Sequence, residues 1–364
     1  MKITQVISDS NIGGAGVLLS SICKGLSSKF DTEVIIPTGS MLKHRLCDTG
    51  VKVTELKINS DKSFSLRDTF TLFNHFKQNH PDVIHSHASL SARLAGRLIG
   101  NCACLSTRHC AKSPKDTRSS FFKKAIYEKL TDITVSTAQC ATENLLTEGI
   151  SEDKIRTIRN GVRAQPPLDS DEKKQLKKQL GIKDDETILG ICARLELIKG
   201  HDLTLRAVAG ICSKIKKIRL LIVGSGSEEW NLKHQAARLG ISERCCFIGF
   251  RENPSPYQNL FHINLNASRG TETSCLATSE CMSLGIPTVA SDFGGNKEQI
   301  ENGVNGLLFR SDDALAYEKA LYSLLTNDSL YKRLSLGAKE RFDEKFSFST
   351  MIKSYENLYN SLKY

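Results

Sequence analysis

Two glutamates stand eight positions apart in the run Ser268 to Pro287, SRGTETSCLATSECMSLGIP. Glu272 follows a polar, turn-like stretch, Arg269-Gly270-Thr271. Cys275 to Leu284 then reads as a helix closed by Gly285 and Pro287, the usual stop signals. The spacing sets Glu272 just before a helix N-terminus and Glu280 near its second turn. A helix start offers unpaired backbone N–H groups and a positive dipole end, which suits a phosphate. A carboxylate on each side can accept from hydroxyl groups, so the block suits a diphosphate held between two sugar rings. Taken alone, the same residues equally describe a capped surface loop with two solvated carboxylates. Arg194 and Lys199 supply a planar fork and a point charge, both fitted to phosphate oxygens. His109 adds an imidazole that, when neutral, can hydrogen-bond a hydroxyl.

Strands and helices alternate around these residues. Phe261 to Ala267 alternates like a strand, and Ile286 to Gly295 reads as a buried strand ending in a glycine pair. The glutamate block thus lies where open α/β sheets bind ligands, at the carboxyl ends of strands. Thr187 to Ala193 is a strand that ends at Arg194, and Arg219 to Gly226 is a strand ending in Gly-x-Gly. Cys246 to Phe250 is another short strand. In the first half Lys2 to Ser8 is a buried strand, and Asp9 to Gly14 a glycine-containing loop. Val17, Leu18, Ile22 and Leu26 follow at helical spacing. The loop has neither the Gly-Lys-Ser/Thr ending of a Walker loop nor Gly-x-Gly-x-x-Gly. Leu66 to Asn79 is a helix expected to pack Leu66, Phe70, Phe73 and Phe76. Pro81 to His87 is a strand ending in His-Ser-His. Its two imidazoles are read as facing opposite sides, a poor geometry for zinc. Leu105 to His109 is a further strand end. Lys112 to Lys129 is a helical stretch with a basic face, and Leu330 to Tyr364 is helical.

At 364 residues, with 40% hydrophobic and 25% charged residues, the chain has the size and balance of two soluble domains. Ala164 to Asp185 begins as a linker and continues as a short helix. The twelve cysteines show no Cys-x-x-Cys spacing, which argues against a zinc ribbon and for a reducing compartment. The first strand is too short for a signal segment, and the expected location is cytoplasmic. The net charge is +10, with 23 Lys/Arg against 15 Asp/Glu in residues 1–165. A basic half suits an anionic substrate or an anionic membrane surface, so peripheral contact with the inner face of the membrane is a further expectation. No glycine-aromatic run accompanies the charge, and nucleic acid is not expected as a partner.

In order and spacing these blocks resemble glycosyltransferase family 4, from Lys2 nearly to the C-terminus. In that family the central element reads Glu, seven residues, Glu, a Gly-x-Pro strand and a Gly-Gly turn, matched by Glu272, Glu280, Gly285-Ile286-Pro287 and Gly294-Gly295. Gly13-Gly14-Ala15 match its N-terminal loop, His85-Ser86-His87 its His-x-His, and Arg194 with Lys199-Gly200 its basic strand end. Two departures occur: Ala193 replaces the usual glycine, and Thr273-Ser274-Cys275 replaces Gly-Phe-Gly or a similar run.

The resemblance implies an α/β protein of GT-B fold, two Rossmann-like doubly wound parallel-sheet domains facing a cleft. The expected boundaries are 1–163 for the acceptor-side domain and 164–344 for the nucleotide-sugar domain, with a helix at about 345–364 packing back on the first. It implies a retaining hexosyltransferase that uses a nucleoside-diphosphate sugar, UDP favoured, and a glycan or lipid-linked acceptor in surface polysaccharide or glycoconjugate synthesis. Neither cofactor nor metal is expected. The catalytic set is His109, Glu272, Arg194 and Lys199. The donor is expected to meet Gly13, Gly14, Arg194, Lys199, Gly224, Gly249, Phe250, Glu272, Ser274, Cys275, Leu276 and Glu280. The acceptor side is expected at Gly14, His87, Arg108 and Lys112. Two rival readings share the fold: a nucleotide-sugar 2-epimerase and a non-catalytic partner subunit.

Overall fold

The computed structural model describes residues 1–10, 13–110, 121–270 and 273–362. The chain divides into two compact units, Met1–Asn160 with Phe348–Tyr364, and Gly161–Ser347.

The first unit is built on seven strands: β1 (Lys2–Ile7), β2 (Asp31–Pro37), β3 (Lys52–Leu56), β4 (Val83–His87), β5 (Ala103–Arg108), β6 (Ile133–Ser136) and β7 (Ile155–Thr157). All pair in parallel, in the order β3-β2-β1-β4-β5-β6-β7. Both faces are covered, so the central strands are buried throughout, including polar residues such as Gln5, His85 and Thr107. On one face Ile3, Val83 and Leu105 pack with Leu18, Ile22 and Leu26 of the helix Gly14–Leu26 and with Met351, Tyr355 and Tyr359 of the C-terminal helix Phe348–Asn360. On the other, Val6, Ile35 and Ile84 pack with Leu72, Phe76, Ala92 and Ala95.

The helix Leu66–Asn79 has the expected bounds but buries a different face. Leu66 is 74% and Phe70 66% exposed, whereas Asp68, Thr69, Leu72 and Phe76 are buried. Asp68 goes inside because its carboxylate accepts from the backbone N–H and side-chain amide of Asn59. A hydrogen-bonded carboxylate is compatible with burial.

The second unit has six parallel strands: β8 (Thr187–Cys192), β9 (Ile218–Val223), β10 (Cys245–Gly249), β11 (Ile263–Asn266), β12 (Thr288–Ser291) and β13 (Gly306–Phe309), in the order β10-β9-β8-β11-β12-β13. Its core joins Leu189, Ile191, Leu220 and Ile222 to Leu203, Val208, Tyr317 and Leu321 on one face. On the other, Ile188, Leu221 and Val223 pack with Phe261, Cys281 and Ile286.

The strand order reverses direction between β1 and β4 in the first sheet and between β8 and β11 in the second. In such sheets the crevice outside the carboxyl ends at this reversal is the place for a ligand. All twelve cysteines are free thiols. Among the described residues no helix is long and apolar enough to cross a membrane.

Candidate functional site

In the second unit, the loop after β8 carries Arg194 and Lys199, and the loop after β11 leads to the helix Leu276–Ser283. Both loops therefore lie at the reversal. Arg194 is exposed, and among the described residues its side chain makes neither a hydrogen bond nor an ion pair. Its backbone lies on the Gly-x-Gly turn after β9: the Ala193 N–H donates to Val223 O at 3.0 Å and the Leu195 N–H to Ser225 O at 2.9 Å. Gly224 has a φ of +141°, and a Cβ there would lie 2.0 Å from the Ala193 carbonyl oxygen. Only glycine permits both the conformation and the approach. Gly224 also donates to Gly249 O at 2.9 Å, and Phe250 beyond it is 63% exposed. The predicted residues Arg194, Gly224 and Gly249 thus form one hydrogen-bonded layer of turns.

Lys199 is half-buried and lines a small cavity with Cys192, Asn266, Ser268, Cys275 and Ala277. The loops that hold it are braced by Arg269, which donates to Leu197 O at 3.2 Å, Asp202 at 2.7 Å and Asp312 at 3.1 Å.

Cys275 caps the helix Leu276–Ser283 without a side-chain bond. Its own N–H donates to Gln299 Oε1 at 2.8 Å, while Gln299 Nε2 donates back to Cys275 O at 3.0 Å. Of the expected backbone donors, Cys275 is therefore already used within the protein. The Ser274 Oγ is buried and has no hydrogen-bond partner among the described residues. The loop before it rests on the glycine pair after β12, where a Cβ at Gly295 would lie 1.6 Å from Thr273 O. Glu280 accepts from Gln258 Nε2 at 2.7 Å. Glu272 and Lys112 lie outside the described residues.

In the first unit, Gly13 precedes the helix Gly14–Leu26, and a Cβ on Gly14 would meet nothing within 4 Å. At the ends of β4 and β5 the histidines form a buried polar chain. Residues two apart on a strand share a face. His85 and His87 therefore do not point to opposite sides, as the sequence reading held. Their rings stack at 4.7 Å, and His87 stacks on His109 at 5.1 Å. His87 Nδ1 lies 2.9 Å from His109 Nε2, and His87 Nε2 lies 2.9 Å from Gln5 Oε1. His85 bridges the Tyr359 hydroxyl and Thr107 Oγ1, each at 2.7 Å, and Gln5 Nε2 donates to Tyr359 at 2.8 Å.

Burial disfavours the charged imidazole. It pushes His109 down to about 4, and burial with the nearby His109 charge pushes His85 down to about 3. Burial, reinforced by its two histidine neighbours, holds His87 well below the usual range. All three rings are therefore neutral at pH 7. Arg108 does not join this chain. Its guanidinium donates to the buried Glu148 at 2.7 Å and to the Tyr127 hydroxyl at 3.2 Å.

Sequence reasoning missed Gln5, Tyr359, Gln258, Gln299 and the bracing role of Arg269. Gln5 and Tyr359 are 354 positions apart, a pairing with no local signal. Among the described residues no group of three or more His, Cys, Asp or Glu is arranged to hold a metal. A cavity of about 590 Å³ in the second unit, lined by Lys173, Lys174, Lys177, His262 and Tyr331, lies by the segments that lead into β11 and β12, away from the turns that carry Arg194.

Two parallel sheets of this topology are those of the GT-B group of glycosyltransferase folds. The chain belongs to that group: residues 12–165 match the model for Glycosyltransferase Family 4, and 172–341 match that for Glycosyl transferases group 1. It is similar to an N-acetyl-alpha-D-glucosaminyl L-malate synthase of Bacillus anthracis, 28% identical over 185 residues that make up 51% of this chain and 48% of that one. The chain thus spans about half the length of the first curated relatives it matches. It is also similar to the O-antigen biosynthesis glycosyltransferase WclY of Escherichia coli, 25% identical over 380 residues, 100% of this chain and 99% of that one. Among solved structures, Anabaena HepE in complex with UDP superposes with a TM-score of 0.88 at 20% identity, over 100% of both chains.

Proposed function

We propose that this protein is a retaining glycosyltransferase that moves a hexose from a nucleoside-diphosphate sugar, UDP favoured, to a glycan or lipid-linked acceptor, and that it needs no metal ion. The observation that carries the reading is the exposed Arg194, without an acid partner among the described residues, at the reversal of the second sheet. A cation held there on a glycine-cradled turn, and not neutralised by any described residue, is preorganised for an anion. The UDP complex of HepE and the O-antigen role in the name of WclY support the choice of donor and of product class.

In this mechanism the bond between the anomeric carbon and the phosphate oxygen breaks, and its electron pair passes to the diphosphate. Arg194 and Lys199 take up the charge that develops, with Ser274 Oγ and the first N–H groups of the helix Leu276–Ser283 as further donors. Preorganised donors of this kind are commonly worth ~3 kcal/mol each. The acceptor hydroxyl attacks from the same face, and its proton goes to the departing phosphate oxygen. Glu272 orients the sugar hydroxyls, Glu280 the ribose, and His109 accepts from the sugar.

The test is donor binding and turnover with UDP-, GDP- and ADP-sugars, with and without acceptors, before and after EDTA. A ligand at 100 times its dissociation constant adds ~2.7 kcal/mol of stability, readily seen by thermal shift. The expected result is stabilisation by one donor and acceptor-dependent release of nucleoside diphosphate, unchanged by EDTA, with the anomeric configuration retained. Conversion of the sugar without acceptor would establish the epimerase instead, and no shift with any donor would establish the partner subunit.

A further inference from the structure

The cavity of about 590 Å³ in the second unit has no part in the roles assigned above, and its size is that of a small-molecule pocket. Lys173, Lys174 and Lys177 of the helix Ser170–Gln179 line it, together with Phe261, His262 and Ile286 from the segments that enter β11 and β12. Lys173 and Lys177 are four residues apart and so share a helix face. Among the described residues none of the three lysines makes an ion pair. Lys177 Nζ donates to the backbone carbonyl of Asp184 at 3.3 Å, which leaves its charge uncancelled. Asp184 is the only acidic residue of the lining, so three lysines against one aspartate leave a charge of +2.

Within this basic lining His262 is fixed in place and in protonation. Its backbone N–H donates to Ile188 O at 2.8 Å, and its carbonyl accepts from the Tyr331 hydroxyl at 3.1 Å. The Ile188 N–H donates to His262 Nδ1 at 3.0 Å. A backbone N–H can only donate, so Nδ1 is a lone pair and the hydrogen of the neutral ring sits on Nε2. Burial, and after it the charges of Lys177 and Lys173, push this histidine below its ordinary range, so the ring is neutral at pH 7. Nδ1 is turned to β8, and Nε2–H is the donor the ring keeps for the cavity. Among the described residues it has no hydrogen-bond partner.

We propose that this cavity is a second ligand site, for a phosphate ester: Lys173, Lys174 and Lys177 take the phosphate, His262 Nε2–H donates to it, and the apolar lining of Phe261, Leu284 and Ile286 meets the organic part. Ammonium groups supply mobile point charges and the imidazole a fixed donor, and both suit phosphate oxygens. The site lies at the amino ends of the strands, whereas Arg194 follows their carboxyl ends. The six residues of β8 separate the two by roughly 20 Å. A ligand held here therefore does not compete for the turns around Arg194, and the site stands whether or not the transferase reading holds.

The test titrates the full chain, ¹⁵N-labelled at histidine, with glucose 1-phosphate at pH 7 and follows His262 by proton–nitrogen correlation spectra. The Nε2–H signal of His262 should move and saturate with glucose 1-phosphate and stay still with glucose. Inorganic phosphate should bind more weakly than the ester, and equal binding would overturn the part given to the apolar lining. Lys173→Gln combined with Lys177→Gln should weaken binding at least tenfold, the value of a hydrogen bond to a charged group. Lys178→Gln, on the same helix but outside the lining, and Arg194→Ala should each leave it within about twofold, as a local site requires. A His262 signal that stays still at millimolar glucose 1-phosphate would overturn the proposal, whether or not the double variant folds. So would a response that the double variant leaves unchanged, or one that Arg194→Ala abolishes.

Discussion

The two sheets end in the same kind of turn and equip it in opposite ways. At the carboxyl end of the first, the polar groups face inward. Three neutral imidazoles, an amide and a phenol satisfy one another beneath the surface. At the carboxyl end of the second, the backbone turns are locked by glycine contacts, and the cation they carry, Arg194, faces water. A dry, hydrogen-bonded network of this kind holds its polar groups in fixed directions. An exposed guanidinium that makes no ion pair among the described residues keeps its full positive charge toward solvent.

The sharpest way to break this contrast is to disturb the turns of the second unit. Gly295→Ala forces a methyl group onto the Thr273 carbonyl, 1.6 Å away. It should cost about 4 kcal/mol or more and abolish transfer, as backbone clashes of this severity do. Denaturant unfolding with an unchanged midpoint would show that the loop is not anchored there. Arg194→Ala comes next. It should lower kcat/KM at least a hundredfold, about 3 kcal/mol, while the unfolding midpoint stays put, because the side chain is exposed. A fall in stability matching the fall in rate would erase the distinction between the two ends.

The first unit should instead respond to acid. A histidine whose folded pKa lies below its ordinary 6.5 binds a proton in the unfolded chain before it does so in the folded one. The stability it contributes is therefore complete above about pH 6.5 and is lost as pH falls toward about 3 for His85 and about 4 for His109. The slope is about 1.4 kcal/mol per pH unit for each such group. Unfolding midpoints at pH 7, 6 and 5 should drop accordingly, and a flat profile would mean that the imidazoles are charged or solvated. Glu280→Ala should give the smallest effect of the four. Loss of the acceptor for Gln258 Nε2 costs about 1 to 3 kcal/mol of stability. The donor KM should rise more than in Arg194→Ala, and the opposite order would sink the assignment of Glu280 to ribose.

What could be read from the sequence depended on range. Arg194 and Lys199 could be placed at a strand end because they follow the apolar strand Thr187–Cys192 within a few residues, and strand ends are local signals. The helix Leu66–Asn79 was equally legible in extent. Its buried face was not, since the apolar pattern Leu66, Phe70, Phe73, Phe76 competes with a buried Asp68 whose partner, Asn59, lies outside the helix. The facing of His85 and His87 was misread by overlooking the two-residue period of a strand. Gln5 and Tyr359 gave no signal at all: each is an ordinary residue until the fold sets the two 2.8 Å apart.

The seat of Tyr359 also orders events in time. The first unit draws its last core residues, Met351 to Tyr359, from the far side of the whole second unit. On a ribosome adding about 5–20 residues per second, the roughly 200 residues between Asn160 and Tyr359 take about 10–40 s to make. For that interval the nascent first sheet stands with one face open and its imidazole chain unclosed. The second unit, continuous in sequence, has every strand it needs and can fold first. The imidazole chain can therefore close only after Tyr359 has been made.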